Sequence, residues 1–205
     1  MRLLRETFFT IVLTLGAVEA LAADSNVFNN PTAGIQLTKP AGWNYLTAAQ
    51  NMDNIKAMKL NDDEFHAAMK KYATAPLVAI TKFAEPFEDV NPSFKINIKP
   101  YGGLKGMSPQ EIINFIVPQF ETRFKDFVLD QPPTQVMVSG IKSAYARMNY
   151  TMVVSDGRSF PTTSELWIVP RGDYFFIIGA GTRQDEITGS REEIQRILKT
   201  VKIEQ

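Results

Sequence analysis

The sequence predicts an α+β fold built on antiparallel strands, and three observations carry that expectation. From Gln135 to Gly181 the apolar residues follow a period of two, with hairpin signals at Ser139-Gly140 and Asp156-Gly157 and a Pro170-Arg171-Gly172 break. Ser108-x-x-Glu111 and Ser190-x-x-Glu193 are capping boxes, each opening an apolar repeat of helical spacing. The glycine pair of "GAGTRQD" (179–185) closes a strand of the antiparallel run and lacks the third glycine of a dinucleotide-binding turn.

Taken from the N-terminus, "MRLLRETFFTIVLTLGAVEALAADS" has Arg2 and Arg5, an apolar run from Phe8 to Val18, and Ala20-Leu21-Ala22. Basic start, short apolar core and small residues at the cleavage positions are the pattern of a secretory signal. The core is about ten residues, half of what a membrane-spanning helix needs. Residues 1–22 are therefore expected to be removed, leaving 23–205 as one domain in the periplasm or secreted, with no transmembrane segment.

Residues 26–45 read as short extended segments in which Ile35 and Leu37 alternate with polar neighbours. A helical stretch follows, then "PLVAITKF" (76–83), a run of strand length. "SFKINIKP" (93–100) sets Phe94, Ile96 and Ile98 against Lys95, Asn97 and Lys99, a half-buried strand. "YGGLKGM" (101–107) is a glycine-rich loop. The helix opened by Ser108 carries Ile112, Ile113, Phe115, Ile116, Phe120, Phe124 and Phe127, with Pro118 expected to kink or break it. Its phenylalanine stripe reads as core packing. In the strand "IKSAYARMNYTMVV", Ala144, Ala146, Met148, Tyr150 and Met152 share one face, and Ser143, Tyr145, Arg147, Asn149 and Thr151 share the other. The last helix turns Ile194, Ile197, Leu198 and Val201 inward.

Composition narrows function. Lys+Arg and Asp+Glu are equal at 22 each in 205 residues, so no basic footprint for nucleic acid stands out. The absence of cysteine removes thiol nucleophiles, a disulfide framework and a lipid-bearing cysteine after the signal.

The stretch most suggestive of chemistry is "NDDEFHAAMKK" (61–71), with the sole histidine, His66. Asp62 and His66 lie four apart, close enough on a helix to share a cation. No second His and no Cys exist to complete a zinc or copper site. The same residues also form a helix start: Asn61 caps, Glu64 stands three later, and the acids oppose the helix dipole. The capped helix is the expectation, with no cofactor, and Asp62–His66 is kept only as a weak metal candidate. No G-x-S-x-G elbow accompanies the histidine, and no P-loop ending follows "GGLKGMS". A non-enzymatic protein is expected.

"GIQLTKPAGWNY" (34–45), "PLVAITKFAEPFEDVNPSFKINIKP" (76–100) and "SELWIVPRGDYFFIIGAGTRQDE" (164–186) with the helix to Val201 together resemble the PsbP-like and Mog-type domains. The resemblance implies an α/β/α sandwich, a mainly antiparallel central sheet with helices on both faces. Photosynthetic relatives assist manganese and calcium retention at photosystem II, and Mog-type relatives bind the GTPase Ran. Neither role carries over to particular residues here. The shared theme implies an exported binding or assembly protein whose partner is another envelope protein. Contact residues are then expected at Tyr145, Arg147 and Asn149, at the Gly102-Gly103 loop and at Arg171, since aromatic and arginine side chains favour interfaces. The alternative is a small-ligand or divalent-metal carrier of the envelope, which requires a concave pocket with convergent polar groups.

Overall fold

A computed structural model of the chain describes residues 25–59 and 75–204. The signal segment, the Asn61 helix start and the Asp62–His66 pair lie outside them. In chain order the strands are β1 (Val27–Asn30), β2 (Ile35–Thr38), β3 (Asn44–Tyr45), β4 (Met58–Lys59), β5 (Val78–Thr81) and β6 (Ser93–Pro100). They continue with β7 (Lys125–Val138), β8 (Ile141–Val154), β9 (Ser159–Arg171), β10 (Tyr174–Arg183) and β11 (Lys202–Ile203). The helices are α1 (Ala48–Ala57), α2 (Pro109–Glu121) and α3 (Arg191–Leu198).

Among the described residues, eight strands form one sheet in the order β3–β5–β6–β10–β9–β8, with β4 and β7 both on the outer edge of β8. Every pairing in it is antiparallel. A small sheet of order β1–β2–β11 stands apart. Helices flank both faces of the main sheet, the layered arrangement expected from the sequence.

Local chemistry explains the element ends. Ser108 and Ser190 each accept a hydrogen bond from the backbone of the glutamate three residues on, and that glutamate returns to the cap's N–H. Thr47 and Gln50 do the same for α1. Ser139 and Gly140 have φ of 51° and 77°, as a two-residue type I′ hairpin demands. Among the described residues, no helix is long and apolar enough to cross a membrane.

One expectation is corrected. The helix after Ser108 ends at Glu121 rather than running to Phe127, and it contains Pro118 without breaking there. From Lys125 the chain is strand β7, paired with β8 through register shifts that accommodate Pro132 and Pro133 at a sheet edge. Pairing along β8 outweighs the helical spacing of Phe120, Phe124 and Phe127.

The two sheet faces bury separate clusters. On one, Ile112, Ile113 and Val117 of α2 cover Ala144, Ala146, Leu166, Ile168 and Phe175. On the other, α3 and the small sheet bring Ile194, Ile197, Ile35, Leu37 and Ile203 against Phe94, Ile96, Trp167, Phe176 and Ile178.

Candidate functional site

Helix α2 covers only part of its sheet face. Beyond its C-terminal end, a cavity of about 440 Å³ lies between the sheet, the end of α2, α1 and the loop joining β5 to β6. That volume is in the usual small-molecule range of roughly 300–1,000 Å³.

The floor is made by what β10 lacks. Gly179 pairs with Lys95 and Leu166, and Gly181 with Ser93 and Ser164. A Cβ on Gly179 would meet nothing within 4 Å, and one on Gly181 only Ser93 Oγ at 3.4 Å. These glycines therefore supply space. Phe120, Phe124 and Phe127 line one side, and Met148, Met152 and Val154 of β8 another. The Phe124 ring rests 4.2 Å from that of Tyr150. Phe120 and Phe127 pack against the core cluster of this face, as the stripe reading expects, and with Phe124 they also line the cavity, while Phe115 is 59% exposed.

Polar groups converge at the α1 end. Lys95 Nζ donates to Asn51 Oδ1 at 2.8 Å. Burial lowers the pKa of the Lys95 ammonium, and the negative charge of Glu85 partly opposes that shift. Glu85 is itself engaged: Oε1 accepts from Asn54 Nδ2 (3.2 Å) and Asn91 Nδ2 (3.0 Å), and Oε2 from the Phe87 N–H (2.9 Å). Asn91 also clasps Phe83, accepting from its N–H at 3.0 Å and donating to its carbonyl at 2.9 Å.

The loop that carries these groups is tied to the sheet. Arg183 at the end of β10 donates to both oxygens of Asp89 at 2.8 Å and to Asp185 at 2.8 and 2.6 Å. Those bonds hold the Asp185 carboxyl down to about 2 and raise the guanidinium's pKa. Thr188 Oγ1 donates to the Val90 carbonyl at 2.8 Å. The wall is pre-organised.

The residues expected from the sequence fall elsewhere. Tyr145, Arg147 and Asn149 form a row on the opposite sheet face, half-buried and bonded within the sheet. Asn149 Oδ1 accepts from Thr163 Oγ1 at 2.8 Å, and Arg147 pairs with Asp130. Tyr145 stacks on Trp167, ring centres 5.0 Å apart, and donates to Glu165 Oε1 at 2.5 Å. Gly102 and Gly103 lie exposed in a short 3₁₀ turn, and Arg171 packs over Gly34. Sequence reading missed Lys95, Glu85, Gly179 and Gly181. The signals for three of them were present, a lysine on the polar side of an alternating strand and two glycines inside an apolar one.

Tyr145 gives a pH signature. Burial first, and then the bond to Glu165, push its phenol up to about 12 from the ordinary 10.0. The neutral form is favoured by folding, so this contribution to stability is complete below pH 10 and is lost as pH rises towards 12. The difference in 295 nm absorbance between wild type and Tyr145→Phe is expected to rise near pH 12, or together with unfolding. A step near pH 10 in still-folded protein would contradict the burial.

No protein-family model matches the sequence, and no curated protein does. Solved structures do. LpqN, involved in cell envelope biogenesis of Mycobacterium tuberculosis, is 12% identical with a TM-score of 0.51, covering 83% of both chains. Cyanobacterial PsbP (CyanoP) from Synechocystis sp. PCC 6803 is 12% identical with a TM-score of 0.51, over 93% of this chain and 99% of its own. The Saccharomyces cerevisiae Ran-binding protein Mog1p is 10% identical with a TM-score of 0.49, over 88% and 96%. The chain spans about half (49%) of a Bacteroides thetaiotaomicron structure that is 16% identical, with a TM-score of 0.46. The chain therefore has the PsbP-like fold.

Proposed function

We propose that this is an exported binding protein that holds a small, mainly apolar molecule in the cavity between α1, α2 and the sheet. The observation that carries the reading is the glycine floor: two side-chain-free positions inside an otherwise apolar strand keep that volume open. The fixed wall of Asn91, Glu85 and Arg183–Asp89 supports a preformed site. Binding rather than catalysis is favoured because two carboxylates lining the cavity, Glu85 and Asp89, each have both oxygens committed to structural donors. The export signal read in residues 1–22 supports an envelope location, and LpqN, which has the same fold, is involved in cell envelope biogenesis.

The test fills the floor. Gly179→Val adds a β-branched side chain whose Cβ would meet nothing within 4 Å, so stability should stay within about 1 kcal/mol of wild type. Fluorescence titration with 1-N-phenylnaphthylamine should show saturable binding to wild type and at least tenfold weaker binding to the folded variant. Equal binding by both proteins would place the probe outside the cavity and sink the reading. Protein contact would then take its place, resting on the exposed Gly102–Gly103 turn and the row of Tyr145, Arg147 and Asn149.

A further inference from the structure

We infer that the ligand carries a single carboxylate on an apolar body of medium length, and that Lys95 receives the carboxylate. The inference rests on reading the cavity as the ligand site. Lys95 leaves β6 on the face that lines the cavity, and its register partner on β10 is Gly179, so no neighbouring side chain from that position stands beside it.

Lys95 brings donor capacity to this end of the cavity. An ammonium has three protons, and Asn51 Oδ1 takes one of them at 2.8 Å. Asn51 is buried at 7% exposure, which fixes the direction of that bond. The oxygens of Glu85 already accept from Asn54, Asn91 and the Phe87 N–H, so this carboxylate is engaged by donors other than Lys95. Burial works against the charge on Lys95, as its lowered pKa records, and an anion brought by the ligand would offset that cost with charge-assisted bonds.

Glu85 decides how much negative charge the corner tolerates. Its field already acts on Lys95. A monoanion matches the single ammonium charge, whereas a dianionic phosphate leaves an uncompensated negative charge in a buried corner beside Glu85, at a steeper desolvation cost. The rest of the ligand meets Phe120, Phe124, Met148 and Met152, which ask for a hydrocarbon body and offer it no polar partner through their side chains.

Isothermal titration with three ten-carbon probes tests the assignment: decanoate, 1-decanol and decyl phosphate. Wild type should bind decanoate at least tenfold more tightly than decanol, with decyl phosphate weaker than decanoate. Lys95→Met, which keeps the length and apolar stem, should bind decanoate and decanol equally, with decanol affinity unchanged. Lys95→Arg, which keeps the charge, should retain the preference for the acid, and serves if the methionine variant does not fold.

Equal binding of acid and alcohol by wild type, or an acid preference that survives Lys95→Met, would overturn the role of Lys95. Tighter binding of decyl phosphate would overturn the carboxylate. If none of the decyl probes binds while phenylnaphthylamine does so in a Gly179-dependent way, this inference falls and the cavity reading stands. If phenylnaphthylamine fails as well, both fall together.

Discussion

Trp167→Ala is expected to cost roughly 3–5 kcal/mol of folding stability, the range for removing a large aromatic from a packed core. Trp167 is 2% exposed on β9, with β8 on one side and β10 on the other. Its indole stacks on the Tyr145 ring with centres 5.0 Å apart and lies 6.4 Å from Phe94, so it joins β8 to β6 across the buried face. Truncation removes the transfer energy of the indole and leaves a void bordered by those two rings. It also releases Tyr145, whose hydroxyl is held by the buried Glu165. Because Gln195 of the α3 helix donates to the same Glu165 oxygen at 3.1 Å, the loss should spread to that helix. Urea denaturation checks this: a lower midpoint with an unchanged slope, and a melting temperature down by roughly 6–20 °C for a chain of this size. Trp167→Phe, which keeps an aromatic partner for Tyr145, should recover a substantial part of the loss. A cost below about 1 kcal/mol for the alanine variant would mean that this face is not the main core.

Where local rules and tertiary structure agree, the sequence was legible. Ser93–Pro100 is a strand because its side chains alternate, and its period alone sets its bounds. Ser108 and Ser190 announce their helices because a cap and its glutamate are a contact within four residues. The capping box at Thr47 has the same logic with glutamine in place of glutamate. Failures came where distant segments decide. Phe120, Phe124 and Phe127 have helical spacing, yet residues from Lys125 onward are drawn into an edge strand by pairing with β8. A period of two separates two faces of β6 but cannot say what covers the polar one. Here α1 and the β5–β6 loop fold over it, which turns Lys95 from a solvent-facing lysine into part of a cavity. The glycines of "GAG" lack the third glycine of a dinucleotide-binding turn, and their use as missing side chains appears only when β6 and β9 lie beside them. Likewise Tyr145, Arg147 and Asn149 share a face as expected, while their hydrogen bonds to other strands follow from β7 and β9 alignment. The small sheet that pairs β11 with β2 joins segments more than 160 residues apart, for which no local signal exists.

Gly34→Ala is expected to destabilise the protein by about 2–4 kcal/mol, through one backbone angle and one guanidinium. Gly34 has φ of +57°, a conformation that costs an L-residue roughly 1–2 kcal/mol. An added Cβ would also collide with Arg171 Nη2 and lie 2.7 Å from its Cζ. Arg171 cannot yield freely. Its Nε donates to the Glu204 carbonyl at 2.7 Å, and Nη1 meets the Tyr174 hydroxyl, which reaches the Ala33 carbonyl at 3.3 Å. The Glu204 N–H in turn donates to the Gly34 carbonyl at 2.9 Å. Arg171 thus clips the β9–β10 hairpin to the β1–β2 turn and to the C-terminal strand, and losing a hydrogen bond from a charged donor costs about 1.5–3 kcal/mol. A double-mutant cycle separates the two contributions. In an Arg171→Ala background, Gly34→Ala should cost only the backbone part, about 1–2 kcal/mol, so the two changes should couple by 1 kcal/mol or more. Strict additivity would show that the guanidinium does not occupy the space over Gly34. It would also release Arg171 from a structural role and return it to the surface available for a partner. Strong coupling assigns the conformational freedom of Gly34 and the position of Arg171 to a single clip that holds the two sheets together.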